Sequence, residues 1–377
     1  MTNSTTTPSP RRDPGAGHAP PGFRPTVPGT PTAPVSTYST LLTQVREAGL
    51  LRRRTGYYLV AFGLVTLCLA AAVTGSVLLG DSWLQLLVAA ALGIVFTQYA
   101  FLAHETAHKQ VFASGRVSEH VGRVLAAGVV GMSYAWWMSK HTRHHGNPNT
   151  VGKDPDIAPD VIVFREADAV GRTGLSRWFA LRQGYAFFPI LLLEGVNLHV
   201  TSYRTLIGRA RVEKRWLEIA LISVRLVVYL GLVFWALDPG MALAFVAVQL
   251  GVFGLYMGAS FAPNHKGMTL IPEGARVDFL SKQVLTSRNV GSSPFMNVAL
   301  GGLNFQIEHH LFPSMARPHL RRASALVRAH CAENGIPYTE TTLWQSYGIV
   351  IRYLNRVGLA AGGDPFDCPA ATRLRPR

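Results

Sequence analysis

"WLQLLVAAALGIVFTQYAFLAHETAH", residues 83–108, runs from an apolar segment straight into a metal-ligand motif. Crossing a hydrocarbon core takes about 20 apolar residues, and Trp83–Leu102 meets that length. In a helix, His104 and His108 of the HETAH motif fall at i and i+4 on one face, with Glu105 available as a general base. Those five residues allow two readings, the zinc site of a metalloprotease or one corner of a larger metal centre. The rest of the chain decides between them.

Three further segments reach spanning length, Tyr57–Gly80, Trp216–Leu237 and Met241–Phe261, so the four spans form two hairpins. The linking turns at Asp81 and Asp238 hold no Lys or Arg. Arg52, Arg53 and Arg54 precede the first span, Lys109 and Arg116 follow the second, Lys214 and Arg215 precede the third, and Lys266 follows the fourth. This asymmetry places both termini in the cytoplasm. Val124–Met138 and Tyr185–Leu193 are apolar but short, and read as interfacial or re-entrant helices. Within the third span, Glu218 lies near the end, where it reaches the interface. Arg225 lies deeper and either makes a structural pairing or lines a substrate passage.

Composition agrees with a membrane protein: of 377 residues, 48% are hydrophobic and only 15% charged. The net charge of +15 is concentrated beside the spans rather than along one recognition stripe, which argues for membrane flanks and against nucleic acid. The same basic face would attract acidic partners. Cys68, Cys331 and Cys368 form no paired motif, so neither a disulfide framework nor a thiolate metal site is expected, and a reducing, cytosol-facing protein fits. Residues 1–38 contain nine of the 23 prolines and no apolar periodicity, which reads as a disordered tail without a secretory signal. Residues 39–366 then form one membrane domain and 367–377 a basic C-terminal tail.

Eight of the 13 histidines fall in four places: HETAH at 104–108, HTRHH at 141–145, His265, and QIEHH at 306–310. Each follows or precedes a span on the same side of the membrane. His141 meets His144 and His145 at i+3 and i+4, and Gln306 occupies the first position before His309 and His310. Each box thus presents two or three donors to one point. A catalytic zinc takes three protein ligands and a water. Eight imidazoles exceed that and suit two metals on facing helices, although imidazole itself accommodates Zn, Cu, Fe or Ni. His18, His120, His199, His319 and His330 are isolated and read as structural or surface residues.

The segments HETAHKQVF, HTRHHGNPNTVGKDPDI, FAPNHKGM and QIEHHLFPSMARPHLRRA resemble the membrane-bound fatty acid desaturase family over roughly residues 50–350. The resemblance implies an all-α integral membrane protein whose four transmembrane helices carry a cytoplasmic helical cap with a dinuclear site. It implies a non-haem di-iron centre ligated by His104, His108, His141, His144, His145, His309 and His310, with His265 as eighth ligand. O2 would be co-substrate, with a long-chain fatty acyl-CoA or acyl lipid as the chain to be desaturated. Gln306 replaces the first histidine of the third box, as in acyl-lipid and front-end desaturases, and could be a weak or water-mediated ligand. Some acyl-CoA members have Asn where this chain has Phe261; Asn264 does not simply take over that role. Glu105, Glu308, Asn149, Asp154 and Asp156 are expected to hydrogen-bond the ligands' free N–H groups. No H-P-G-G haem motif is present, so electrons are expected from a separate ferredoxin or cytochrome b5-like carrier with its reductase. A hydroxylase sharing the same centre, a zinc protease using Glu105, and a non-enzymatic metal sensor are the alternatives.

Overall fold

The computed structural model describes residues 37–291 and 293–362. The expected tails lie outside the described residues, apart from Thr37 and Tyr38, which open the first helix. Helices α1 (Thr37–Glu47), α2 (Thr55–Leu79), α3 (Gln85–Ala107) and α4 (Gly115–Arg123) are followed by a π-helical segment, Val124–Val130, and α5 (Tyr134–Gly146). Next come α6 (Glu166–Ala169), α7 (Gly174–Ala180), α8 (Gln183–Leu191), α9 (Glu194–Ile207), α10 (Arg215–Ala236) and α11 (Pro239–His265). The remaining helices are α12 (Phe279–Leu285), α13 (Pro294–Ala299), α14 (Gln306–Leu311), α15 (Arg317–Glu333) and α16 (Leu343–Leu359). Asn289–Val290 and Glu340–Thr341 pair as two short parallel strands.

Helices α2, α3, α10 and α11 are long and apolar enough to cross a membrane. On α2, Leu59, Leu64, Leu67, Val77 and Leu78 are all exposed, and apolar surface this continuous fits a lipid environment. The sequence places the ends of the second and fourth spans at Leu102 and Phe261. Instead α3 runs on to Ala107 and α11 to His265, because the histidine-bearing turns continue the helical hydrogen bonding. The rigid spans therefore deliver His104 and His265 directly to the site.

Helix α3 lies at the centre, packed on α2, α4, α11 and the π-helical segment. Its approach to α11 depends on Gly93, where a Cβ would come within 2.9 Å of the Gln249 carbonyl oxygen and 3.0 Å of the Phe253 nitrogen. Small residues permit such close packing between membrane helices. A second cluster joins Leu41 and Val45 of α1 to Leu280 and Val284 of α12, Ile307 and Leu311 of α14, and Val327 and Cys331 of α15. It fixes the helix that carries the third histidine box.

The two short apolar segments are not among the helices of spanning length. The first is π-helical to Val130 and breaks at Gly131, whose φ of 93° favours glycine. Glu218 departs from expectation. Rather than reaching the interface it is fully buried, accepting from Arg123 Nε (2.9 Å), Ser133 Oγ (2.6 Å) and the Ala135 amide (3.1 Å). A carboxylate in low dielectric persists only with such paired donors, and here it ties α10 to the chain around the π-helical segment. The contacts of Arg225 are structural: its Nε donates to the Val129 carbonyl (3.2 Å), and its guanidinium lies 4.9 Å from the Phe96 ring centre and 4.8 Å from that of Tyr229.

Candidate metal centre

All eight imidazoles converge, in two groups. His104, His108, His141, His145 and His309 form one; His144, His265 and His310 form the other. Within each group the coordinating atoms lie within 4.8 Å of one another. The sequence reading aims each box at one point, whereas the structure divides two of them. Consecutive helical residues point about 100° apart, so each His-His doublet sends one imidazole to each group. His145 and His309 join the first while His144 and His310 join the second.

Tautomers in the second group are fixed from outside. His144 Nδ1 donates to Asp154 (3.0 Å), His265 Nδ1 to the Thr286 carbonyl (2.9 Å), and His310 Nδ1 to Gln283 Oε1 (2.9 Å). The three Nε2 lone pairs therefore face one another, His144 and His265 at 3.4 Å. In the first group, Nε2 of His108 lies 2.8 Å from that of His141, and Nε2 of His145 lies 3.1 Å from that of His309. Trp137 stacks on His141 with ring centres 4.4 Å apart.

Both nitrogens of His104, Nδ1 of His145 and Nε2 of His310 are buried without a hydrogen-bond partner. A buried polar group left unpaired costs about 1–3 kcal/mol, and converging imidazole lone pairs are what a metal cation satisfies. Burial and then the neighbouring imidazoles hold His141, His309 and His310 well below the ordinary histidine value, His145 likewise, and burial lowers His108 to about 4. Neutral imidazole is the ligating form. At His144 burial also disfavours the charge, but Asp156 and Asp154 outweigh it and raise the value. The donor set thus fits two imidazole-bound metal ions.

An apolar cavity reaches His104, walled by Phe101, Ala126, Val130, Met132, Met257 and Phe261 among others. Through His104 the five-imidazole group thus borders a small apolar cavity of about 30 Å³. Comparison with known proteins gives this arrangement its family. The family profile described as "Fatty acid desaturase" matches residues 81–342. The chain belongs to the fatty acid desaturase family. It is 28% identical over 347 residues to a Delta(8)-fatty-acid desaturase of Helianthus annuus, covering 86% of this chain and 73% of that protein. It is 26% identical over 339 residues to an acyl-lipid (9-3)-desaturase of Borago officinalis, covering 86% and 75%. With fatty acid desaturase 3 of Bos taurus the identity is 30% over 291 residues, covering 74% and 63%. Members of this family are oxidoreductases, and this desaturase is one of them.

Two acidic residues of the desaturase boxes do other work than expected. Glu105 does not hydrogen-bond a ligand N–H; it turns away from His104 and takes a bidentate pair from Arg317, Nε at 2.6 Å and Nη2 at 2.5 Å. Glu308 is fully buried and accepts from Asn289 Nδ2 (2.8 Å) and Tyr338 OH (2.9 Å). Burial pushes its carboxyl up to about 7 against those two bonds. In both cases the residue beside a ligand in sequence sits about 100° around the helix from it.

The residues after the second box behave differently from one another. Asp154 makes the expected bond to His144 and is itself held by the amides of Asn149 (2.7 Å) and Asp156 (2.9 Å). Asp156 lies 3.5 Å from the same imidazole nitrogen and pairs with Lys140 at 2.9 Å. Asn149 bonds no ring; its Nδ2 donates to the carbonyl of His265 (3.1 Å) and approaches that of Thr286 (3.5 Å). Replacing Asp154 with Ala removes the acceptor that fixes His144, and metal affinity in the second group is expected to fall about 10- to 100-fold, read by metal titration. An unchanged affinity would assign Asp154 to packing alone.

Sequence reasoning missed Gln283, Thr286, Arg288 and Arg317. None belongs to a histidine-spaced motif, though Arg317 lies within the stretch that carries the resemblance. Arg288 is almost wholly buried and caps the end of α11, donating through Nε and Nη2 to the Pro263 carbonyl (2.9 and 2.5 Å) and through Nη2 to that of Lys266 (2.9 Å). It thereby holds the turn that presents His265. Among the described residues, His120, His199, His319 and His330 belong to neither metal group.

Proposed function

We propose that this desaturase introduces a double bond into a long-chain fatty acyl substrate, using O2 and two electrons at two iron ions held by the eight imidazoles. The observation that carries this reading is the convergence of eight imidazoles in two groups, the larger of which reaches an apolar cavity through His104. Iron bound there would supply the oxidising power that removal of hydrogen from an unactivated methylene demands, which no side-chain acid or base provides. The protein's own share is positioning. Phe101, Met257 and Phe261 wall the side of His104 that a methylene chain would approach, while Asp154, Gln283 and the Thr286 carbonyl keep the ligand tautomers fixed.

The names of the plant relatives, a fatty-acid desaturase and an acyl-lipid desaturase, support a fatty acyl substrate. Basic residues at the histidine-bearing ends of the spans, Arg52–Arg54, Lys109, Lys214 and Lys266, support a cytoplasmic site in a multi-pass protein. Exposed Arg52, Arg53, Arg54, Arg321 and Arg322 suit an acidic electron carrier, a separate ferredoxin or cytochrome b5-like protein served by its reductase.

Gas chromatography–mass spectrometry of lipids from a host expressing the protein tests the reaction. A new unsaturated acyl chain is expected; a hydroxylated chain in its place would make the enzyme a hydroxylase. The cavity is tested separately. Ala126→Phe fills the slot beside His104 and is expected to lower turnover on long chains about a hundredfold through misplacement of the reacting carbon, with the metal content unchanged. Full turnover by that variant would exclude this cavity as the acyl site.

A further inference from the structure

Gln306 breaks the histidine pattern, and its surroundings say what the amide does there. It is 3% exposed, and its Nε2 lies 2.9 Å from His265 Nε2. Because His265 Nδ1 donates its hydrogen to the Thr286 carbonyl, His265 Nε2 carries a lone pair, and the group facing it has to be a donor. The other end of the amide agrees. Gln306 Oε1 accepts from Asn264 Nδ2 at 3.4 Å, and that same Nδ2 donates to the Ser260 carbonyl at 3.2 Å. A backbone carbonyl only accepts, so the orientation of the fully buried Asn264 amide is fixed, and it fixes the next one in turn. The bonds run one way, from Asn264 to Ser260 and to Gln306, and from Gln306 to the His265 Nε2 lone pair; a bound metal would take that lone pair, and the Asn264 bond would then alone hold the Gln306 amide.

Resting on the metal-centre reading above, we propose that Asn264 orients the Gln306 amide so that its N–H, not its oxygen, faces the group formed by His144, His265 and His310. Gln306 is then a hydrogen-bond donor at that site rather than a ligand, and the metal there takes three imidazoles from the protein. A ligating oxygen would require both amides to turn, leaving Asn264 Oδ1 against the Ser260 carbonyl, acceptor against acceptor. A histidine at position 306 would present a ring in place of this fixed donor. What glutamine contributes is an N–H aimed at an oxygen atom, such as that of water, sharing the site. Asn264 acts only through Gln306 and is a positioning residue.

The test titrates Co(II), as a spectroscopic probe, into metal-free full-length protein in nanodiscs and reads stoichiometry and visible absorption. Wild type is expected to bind two ions and His310→Ala one. Gln306→Leu is expected to keep two ions and the wild-type absorption pattern, with the second bound about tenfold more weakly, as for loss of an outer hydrogen bond; Gln306→Ala gives the same readout should the Leu variant not be recovered. Asn264→Asp offers a carboxylate that only accepts, so the Gln306 oxygen turns inward and the absorption changes while two ions stay bound. If Gln306→Leu loses one ion, or its spectrum changes as that of a lost ligand does, the amide oxygen is a ligand and the proposal fails. If Asn264→Asp keeps the wild-type spectrum, Asn264 does not set the amide. Failure of wild type to bind two ions would instead overturn the metal centre itself, and the proposal with it.

Discussion

Replacing His309 with Ala, or His310 with Ala, is expected to reduce turnover to background while the membrane protein is still made. The two neighbours serve different groups: His309 approaches His145 at 3.1 Å in the five-imidazole set, while His310 completes the three-imidazole set and is oriented by Gln283. Neither loss can be covered by the other, because the two side chains diverge around the helix. Each variant should disable one metal position and leave the other. Product analysis of host lipids reads the result. Full activity in either variant would remove that histidine from the centre.

The second large effect concerns Glu105 and Arg317. Both are buried, and Tyr58 joins them, accepting from the Arg317 amide (3.0 Å), donating to Gln110 Oε1 (2.8 Å) and lying 3.3 Å from Glu105. The network ties α2 and α3 to the start of α15, just beyond the third box. Arg317→Ala leaves a carboxylate buried without its partner, which costs about 3–5 kcal/mol. The expected result is a lower unfolding temperature and loss of metal from both groups. A double substitution, Glu105→Leu with Arg317→Leu, is expected to recover much of the lost stability, since buried pairs are often replaceable by apolar residues. A protease base would behave otherwise. Were Glu105→Gln to abolish activity with stability and metal content intact, the carboxylate would be doing chemistry, and its structural assignment would be wrong.

The spans were legible in the sequence because a run of roughly twenty apolar residues seldom occurs outside a membrane helix, and the eight imidazoles because helical spacing exposes shared faces. The division into two groups was not. It depends on how α3, α5, α11 and α14 are placed around one another, although the His144–His145 and His309–His310 doublets carry the hint once the helical turn angle is considered. The fates of Glu105 and Glu218 were hidden for a related reason. Their partners, Arg317 and Arg123, are 212 and 95 residues away, and no local pattern announces a long-range ion pair. Gln283 and the Thr286 carbonyl act from a short helix and the turn after it without any motif, so only the assembled site reveals them.

Metal analysis of the purified protein, combined with Mössbauer spectroscopy, tests the central claim most directly. Two non-haem irons per chain are expected in wild type and one in either His309→Ala or His310→Ala. A single zinc per chain, retained in His310→Ala, would contradict the dinuclear centre and return the HETAH motif to the reading of a mononuclear site.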